Sequence, residues 1–267
     1  MLKLDKKTWI LFAIIIIVGF LVSFIIKYSK IDISESDKNL LKTILYIIIL
    51  IVFYNKRKVY FSLKLFSKPV NLIYILPFIL FFSYRVLQLD FSLLLSKNTF
   101  EIIKFFIAIY LAAFFEEFIF RGILINNYLR NNLSLGKSII FAALIFGSFH
   151  LFNLIHTPDF FGVFNQMITA VFAGILFGAL FTIVKNIYLV AFLHFIVNIP
   201  SGIKDLSLVQ NDTITNTPFT LGEEIFSTIM VILLYSPLLL IGLFLIKRST
   251  ILNDMENMKP VEERSFI

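Results

Sequence analysis

Two adjacent carboxylates and a guanidinium stand among apolar residues in the run Phe114-Phe115-Glu116-Glu117-Phe118-Ile119-Phe120-Arg121. On an α-helix Glu117 and Arg121, four residues apart, share a face and can form a charge-assisted ion pair, while Glu116 is turned away by about 100°. One acid is then matched and the other is available. A carboxylate without a cationic partner in apolar surroundings suits a general acid or base acting on water. The same cluster also suits an ion-pair lock between helices.

The chain has 3 histidines, and two of them, His150 and His194, stand inside apolar runs. In Phe146-Gly147-Ser148-Phe149-His150 the aromatic ring lies one turn before the imidazole, and in His194-Phe195-Ile196-Val197-Asn198 an imidazole and an amide share a face. Histidine can accept or donate a proton and asparagine can donate to an oxyanion, so the two pairs complement a catalytic carboxylate. A single histidine in a membrane helix is more often a hydrogen-bonded packing residue; two of them beside an acid shift the balance toward a site. Depth permits convergence, since Glu116 and His150 each lie about 20 Å along their helices from Arg130 and Lys137, and His194 about 13 Å from Lys185. The third histidine, His156, falls in a loop-like stretch, and Asn153 could orient His150 or cap its helix.

The surroundings that must position these groups are hydrocarbon. Of 267 residues, 59% are hydrophobic and 15% charged, against roughly 25% charged in soluble domains. Eight apolar runs, at 8–26, 39–54, 70–95, 99–128, 137–152, 162–184, 187–199 and 223–247, read as membrane helices of one polytopic all-α domain over residues 1–267. The runs are continuous and not alternating, which excludes barrel strands. Two of them, 137–152 and 187–199, look short for a full crossing. With no cysteine, disulfides, thiolate metal sites and a thiol nucleophile are excluded. The net charge of +7 resides in short loops, where it sets topology and does not indicate nucleic acid.

Taken in order on three helices, Glu116-Glu117-x-x-x-Arg121, Phe146-x-x-x-His150 and His194-x-x-x-Asn198 resemble the motifs of the CAAX protease and bacteriocin-processing family, the Abi family, over about residues 99–199. The resemblance implies an intramembrane endopeptidase. In it Glu116 activates water with help from His150, His194 and Asn198 hold the target or stabilise the oxyanion, and Glu117 and Arg121 organise the first motif. No cofactor is required. Zinc is an option, with Glu116, His150 and His194 as available ligands, although no His-Glu-x-x-His helix demands it. The expected partners are the lipid bilayer and a peptide or protein substrate in or near it.

Heavy use of Ile, Phe, Lys and Asn resembles a low-GC bacterial coding bias, which points to peptide maturation or bacteriocin self-immunity. Cleavage of prenylated CAAX proteins and non-catalytic peptide binding by an immunity protein are the alternatives. A proton-relaying transporter would show repeat symmetry and broken helices, which the runs do not suggest. A serine mechanism would need a positioned hydroxyl, and Ser148 points to a different helix face from His150. An aspartyl mechanism would need a pair, whereas Asp90 near Arg85 is the one candidate.

Of the 24 Lys and Arg, 15 fall on the side of the two termini and 7 on the other, with Arg85 and Arg121 inside runs. This asymmetry places both termini in the cytoplasm. Because the chain has no cysteine, single introduced cysteines report topology cleanly. Asn132→Cys and Lys185→Cys are expected to react with a membrane-impermeant thiol reagent only after the cytoplasmic side is opened, and Lys97→Cys in intact cells. The reverse pattern would overturn the orientation.

Overall fold

The structure is a computed structural model and describes residues 6–28, 35–57, 76, 82–83, 87, 91–155, 159–210 and 219–257. Among the described residues every regular element is helical, as the unbroken apolar runs predict. Helices α1 (Lys6–Tyr28) and α2 (Glu35–Arg57) come first, followed by the single turn α3 (Ser92–Leu95) and α4 (Thr99–Glu117). The last of these continues without a break into a π-helix (Phe118–Ile125) and then α5 (Asn126–Arg130). Next come α6 (Leu135–Phe149), running on into a 3₁₀ segment (His150–Ile155), then α7 (Phe160–Val184), α8 (Ile187–Gln210) and α9 (Leu221–Asn257).

The helices group into two compact units, and the chain passes from one to the other between Ile119 and Phe120, inside the π-helix. The first unit holds α1, α2, α3, α4 and α8. Here α1 packs on α2, α2 on α4, and α4 on α8. The start of α4 is well specified: Asn98 accepts a hydrogen bond from the Glu101 amide at 3.0 Å, a side-chain cap on the first turn. Lys104 then bridges Glu101 at 2.7 Å and Asp37 of α2 at 2.9 Å, which ties the two helix beginnings together. Further along, a Cβ on Gly202 of α8 would meet Ile109 Cδ1 at 2.7 Å, so the glycine lets α8 approach α4 closely.

In the second unit α7 is the central helix, with α6 and α9 packed on it and α5 on α6. Leu176, Phe177, Ala179 and Leu180 are buried. Helix α7 is strongly apolar, with a mean hydropathy of 2.4, as expected of a helix packed between others. Close approach again rests on small residues. A Cβ at Gly178 would meet Ile139 Cγ2 at 2.7 Å, and one at Gly242 would meet the Leu176 backbone nitrogen at 2.9 Å.

Three helices among the described residues are long and apolar enough to cross a membrane: Leu135–Ile155, Phe160–Val184 and Leu221–Thr250. The run at 137–152 is lengthened by its 3₁₀ extension to 21 residues, which gives it the reach that its apolar core lacked. The run at 187–199 sits in a 24-residue helix, but its apolar part ends at Ile203. Most of the run at 70–95 lies outside the described residues, together with Arg85, Asp90 and His156. Large apolar side chains are also turned outward, among them Trp9, Ile17 and Phe24 on α1 and Phe226, Leu233 and Phe244 on α9. A chain whose solvent is lipid has no reason to hide them.

The two glycine environments of α9 lead to opposite expectations. Gly242→Ala presses a methyl group onto Leu176 backbone and is expected to destabilise by about 1–3 kcal/mol. At Gly222 the nearest atom is Thr220 Oγ1 at 4.0 Å, so Gly222→Ala should leave stability unchanged or slightly raised. Thermal midpoints of the two variants in one detergent check the contrast.

Candidate active site

Glu117 is the last residue of α4 before the helix widens into the π segment, and none of its surface is exposed. A carboxylate so placed in apolar surroundings needs an internal partner. That partner is His194 of α8, whose Nδ1 lies 2.8 Å from Glu117 Oε1. The other ring nitrogen, Nε2, faces Glu116 Oε2 at 3.6 Å. The imidazole therefore lies between the two adjacent carboxylates. The side chain of Glu117 is 0% exposed, that of His194 6% and that of Glu116 32%, so the cluster has a closed end and an open end.

Helices α4 and α8 are held in this register by aromatic contacts. Phe195, next to His194, meets Phe106 and Tyr110 edge-on at 6.1 and 6.0 Å between ring centroids. One turn before Glu117 and Phe118, Phe114 stacks on Tyr188 at 5.5 Å and leans on Phe118 at 6.0 Å. These rings supply apolar packing between the helices that carry the polar groups. Asn198 is on α8 one turn beyond His194 and half-buried, and its backbone carbonyl accepts from Ser201 Oγ at 2.9 Å.

Arg121 and His150 belong to the second unit, where Phe146 touches both. The Arg121 side chain is buried, its guanidinium carbon 4.7 Å from the Phe146 ring centroid and 5.7 Å from that of Phe177. A guanidinium nitrogen donates to the Gly174 carbonyl at 3.4 Å. The flat, weakly hydrated guanidinium tolerates such a setting better than an ammonium would. His150 closes α6, and its ring stands edge-on to Phe146 at 5.1 Å. Its Nδ1 lies 3.2 Å from the Phe146 carbonyl. A carbonyl can only accept, so Nδ1 carries the proton and Nε2 is the acceptor of the neutral ring.

The sequence reading placed Glu117 and Arg121 on one helix face. In the structure, the contacts described are Glu117 with His194, and Arg121 with Gly174, Phe146 and Phe177. Of the two roles considered for Asn153, neither is its contact: its amide donates to Gln166 Oε1 at 2.8 Å and ties the 3₁₀ segment to α7. The π-helix and its exit were not foreseen. At that exit Asn126 donates to the Gly122 carbonyl at 2.6 Å, serving a backbone acceptor in the stretch where the α-helical bond pattern is interrupted. An asparagine soon after a charged helical motif is too common a pattern to have revealed it.

The residues described do not fit a zinc centre. Among them no group of three His, Cys, Asp or Glu side chains is arranged to hold a metal ion, and both nitrogens of His194 are directed at carboxylates. No catalytic step is therefore drawn through a metal.

No curated protein and no solved structure matches the chain. Residues 98–200, which span α4, the π-helix, α5, α6, α7 and the first part of α8, match the family model for the type II CAAX prenyl endopeptidase Rce1-like proteins. The same segment carries all three motifs, so over these residues the chain is similar to the CAAX protease family.

Proposed function

We propose that the protein is an intramembrane endopeptidase that hydrolyses peptide or protein substrates at or in the membrane with a water activated by Glu116 and histidine. The observation that carries this reading is the trio of Glu116, His194 and Glu117, a partly exposed carboxylate facing an imidazole that a buried carboxylate holds from behind. The similarity of residues 98–200 to a protease family supports the reaction class.

Glu116 acts as general base. It takes a proton from water while the water oxygen bonds to the carbonyl carbon of the scissile peptide. His194 and Asn198 donate hydrogen bonds to the oxyanion that forms, and the proton held by Glu116 passes to the leaving nitrogen as the C–N bond breaks. The products are a carboxylate and an amine. His150 assists the activation of water by virtue of its motif, with Nε2 as its accepting atom. Glu117 and Arg121 are organising residues of the first motif. General base catalysis contributes about 10²–10⁴-fold, and an oxyanion donor about 10²–10³-fold.

Composition favours a bacterial substrate, a peptide matured or a bacteriocin neutralised at the membrane. A second reading, release of the C-terminal tripeptide from prenylated CAAX proteins, is favoured by the description of the matched family. Cleavage of a farnesylated CAAX peptide but not its unprenylated counterpart would select the second reading.

In proteoliposomes with a cleavable peptide, Glu116→Gln, His150→Ala and His194→Ala are each expected to lower kcat/KM by at least about 10²-fold, and Asn198→Ala by about 10²–10³-fold. Full cleavage by the first three variants would overturn the site. A cellular phenotype that persists without any cleavage would point instead to peptide sequestration. Activity is expected to survive exhaustive chelation, with no stoichiometric zinc by elemental analysis; loss of activity that zinc restores would require a metal mechanism.

A further inference from the structure

The geometry points to Glu117 as a positioning residue that fixes the tautomer of His194, protonated at Nδ1, and so directs Nε2 at Glu116. This inference rests on the endopeptidase reading for its catalytic consequence, but its structural content is independent of it. Three observations carry it. The Nδ1 to Oε1 distance of 2.8 Å is that of a direct hydrogen bond, and both groups are buried. The Nε2 to Glu116 Oε2 distance of 3.6 Å is too long for one. The two carboxylates are adjacent in sequence, so fixing one side of the ring also fixes which acid the other side meets.

The proton between Glu117 and Nδ1 belongs on the ring, because taking it from a neutral imidazole would leave an imidazolate, a far stronger base than a carboxylate. Nε2 then has two uses at one position. Unprotonated, it receives the proton that Glu116 takes from water; protonated, it donates to the oxyanion and then returns that proton through Glu116 to the leaving nitrogen. The other tautomer, with Nδ1 bare, would set a nitrogen lone pair against the buried carboxylate. The second histidine follows the same rule with a weaker anchor, since His150 Nδ1 donates to the Phe146 carbonyl. Both histidines thus present Nε2, but His194 alone has a carboxylate behind it among the contacts described for the two rings.

With only 3 histidines in the chain, the test is direct. Full-length protein carrying ring-¹⁵N histidine is examined by NMR in nanodiscs, with His150→Gln and His156→Gln together leaving His194 as the one signal. The expected spectrum shows a protonated Nδ1 with a strongly deshielded proton. A neutral His194 protonated at Nε2 in this protein, whose Glu117 is intact, would overturn the inference. Glu117→Ala is expected to abolish the deshielded proton and give mixed tautomers, and Glu117→Asp to restore it in part; an unchanged Nδ1 signal in Glu117→Ala would equally overturn it. In the peptide assay Glu117→Ala is expected to lower kcat by about 10- to 100-fold with KM within about twofold, and Glu117→Asp to recover part of the loss. The expected NMR signature in a protein that cleaves no peptide would sustain the tautomer and count against the endopeptidase. Cleavage by a protein whose His194 is protonated at Nε2 would do the opposite.

Discussion

Where the surroundings are hydrocarbon, a charged side chain is held by a partner drawn from elsewhere in the chain, because no solvent is at hand to replace one. The hydrogen bond between Glu117 and His194 meets that constraint across 77 residues of sequence. It requires α4 and α8 to lie side by side and fixes which residues of the two helices are level. The aromatic pairs between them and the glycine at 202 serve the same register. Glu116 inherits its position from this bond: it follows its neighbour along the helix and meets the far side of the same ring.

A second polar group obeys the constraint in another way. Arg121 is buried with its guanidinium over two phenylalanine rings and a backbone carbonyl beside it. The surrounding π-helix is apolar and mostly buried, and its altered bonding is met on exit by the Asn126 side chain. Such segments inside α-helices are frequent at functional sites, since they re-aim side chains and open backbone acceptors. Here one follows directly upon the paired carboxylates. Phe146, the aromatic member of the second motif, contributes its ring to Arg121 and its carbonyl to His150, so its motif position has a physical use beyond packing.

Much of this was legible in the residues. Long apolar runs can only be helices in lipid, and the described helices follow those runs, although several extend beyond them. The candidate residues announced themselves because acids, histidines and a buried arginine are scarce in a chain that is 15% charged. The polar pairings were less legible. A helix makes neighbours of residues four apart, such as Glu117 and Arg121, but its spacing says nothing of a contact distant in sequence such as that of Glu117 with His194. Asn153 and Gln166 show the same thing on a smaller scale, with 13 residues between them.

By itself the amino-acid sequence determined the all-helical, membrane-type character of the chain and the short roster of groups able to do chemistry, because hydrophobicity and helical spacing are local properties written residue by residue. It also carried the likeness to a protease family over residues 98–200. Only the tertiary structure decided which polar groups meet: that His194 lies between Glu116 and Glu117, that Arg121 rests on Phe146 and Phe177, and that the helix after the carboxylates is a π-helix. The reason is that a buried charge is matched by whichever polar group helix packing brings within about 3 Å, and packing depends on shape and small-residue contacts summed over whole helices.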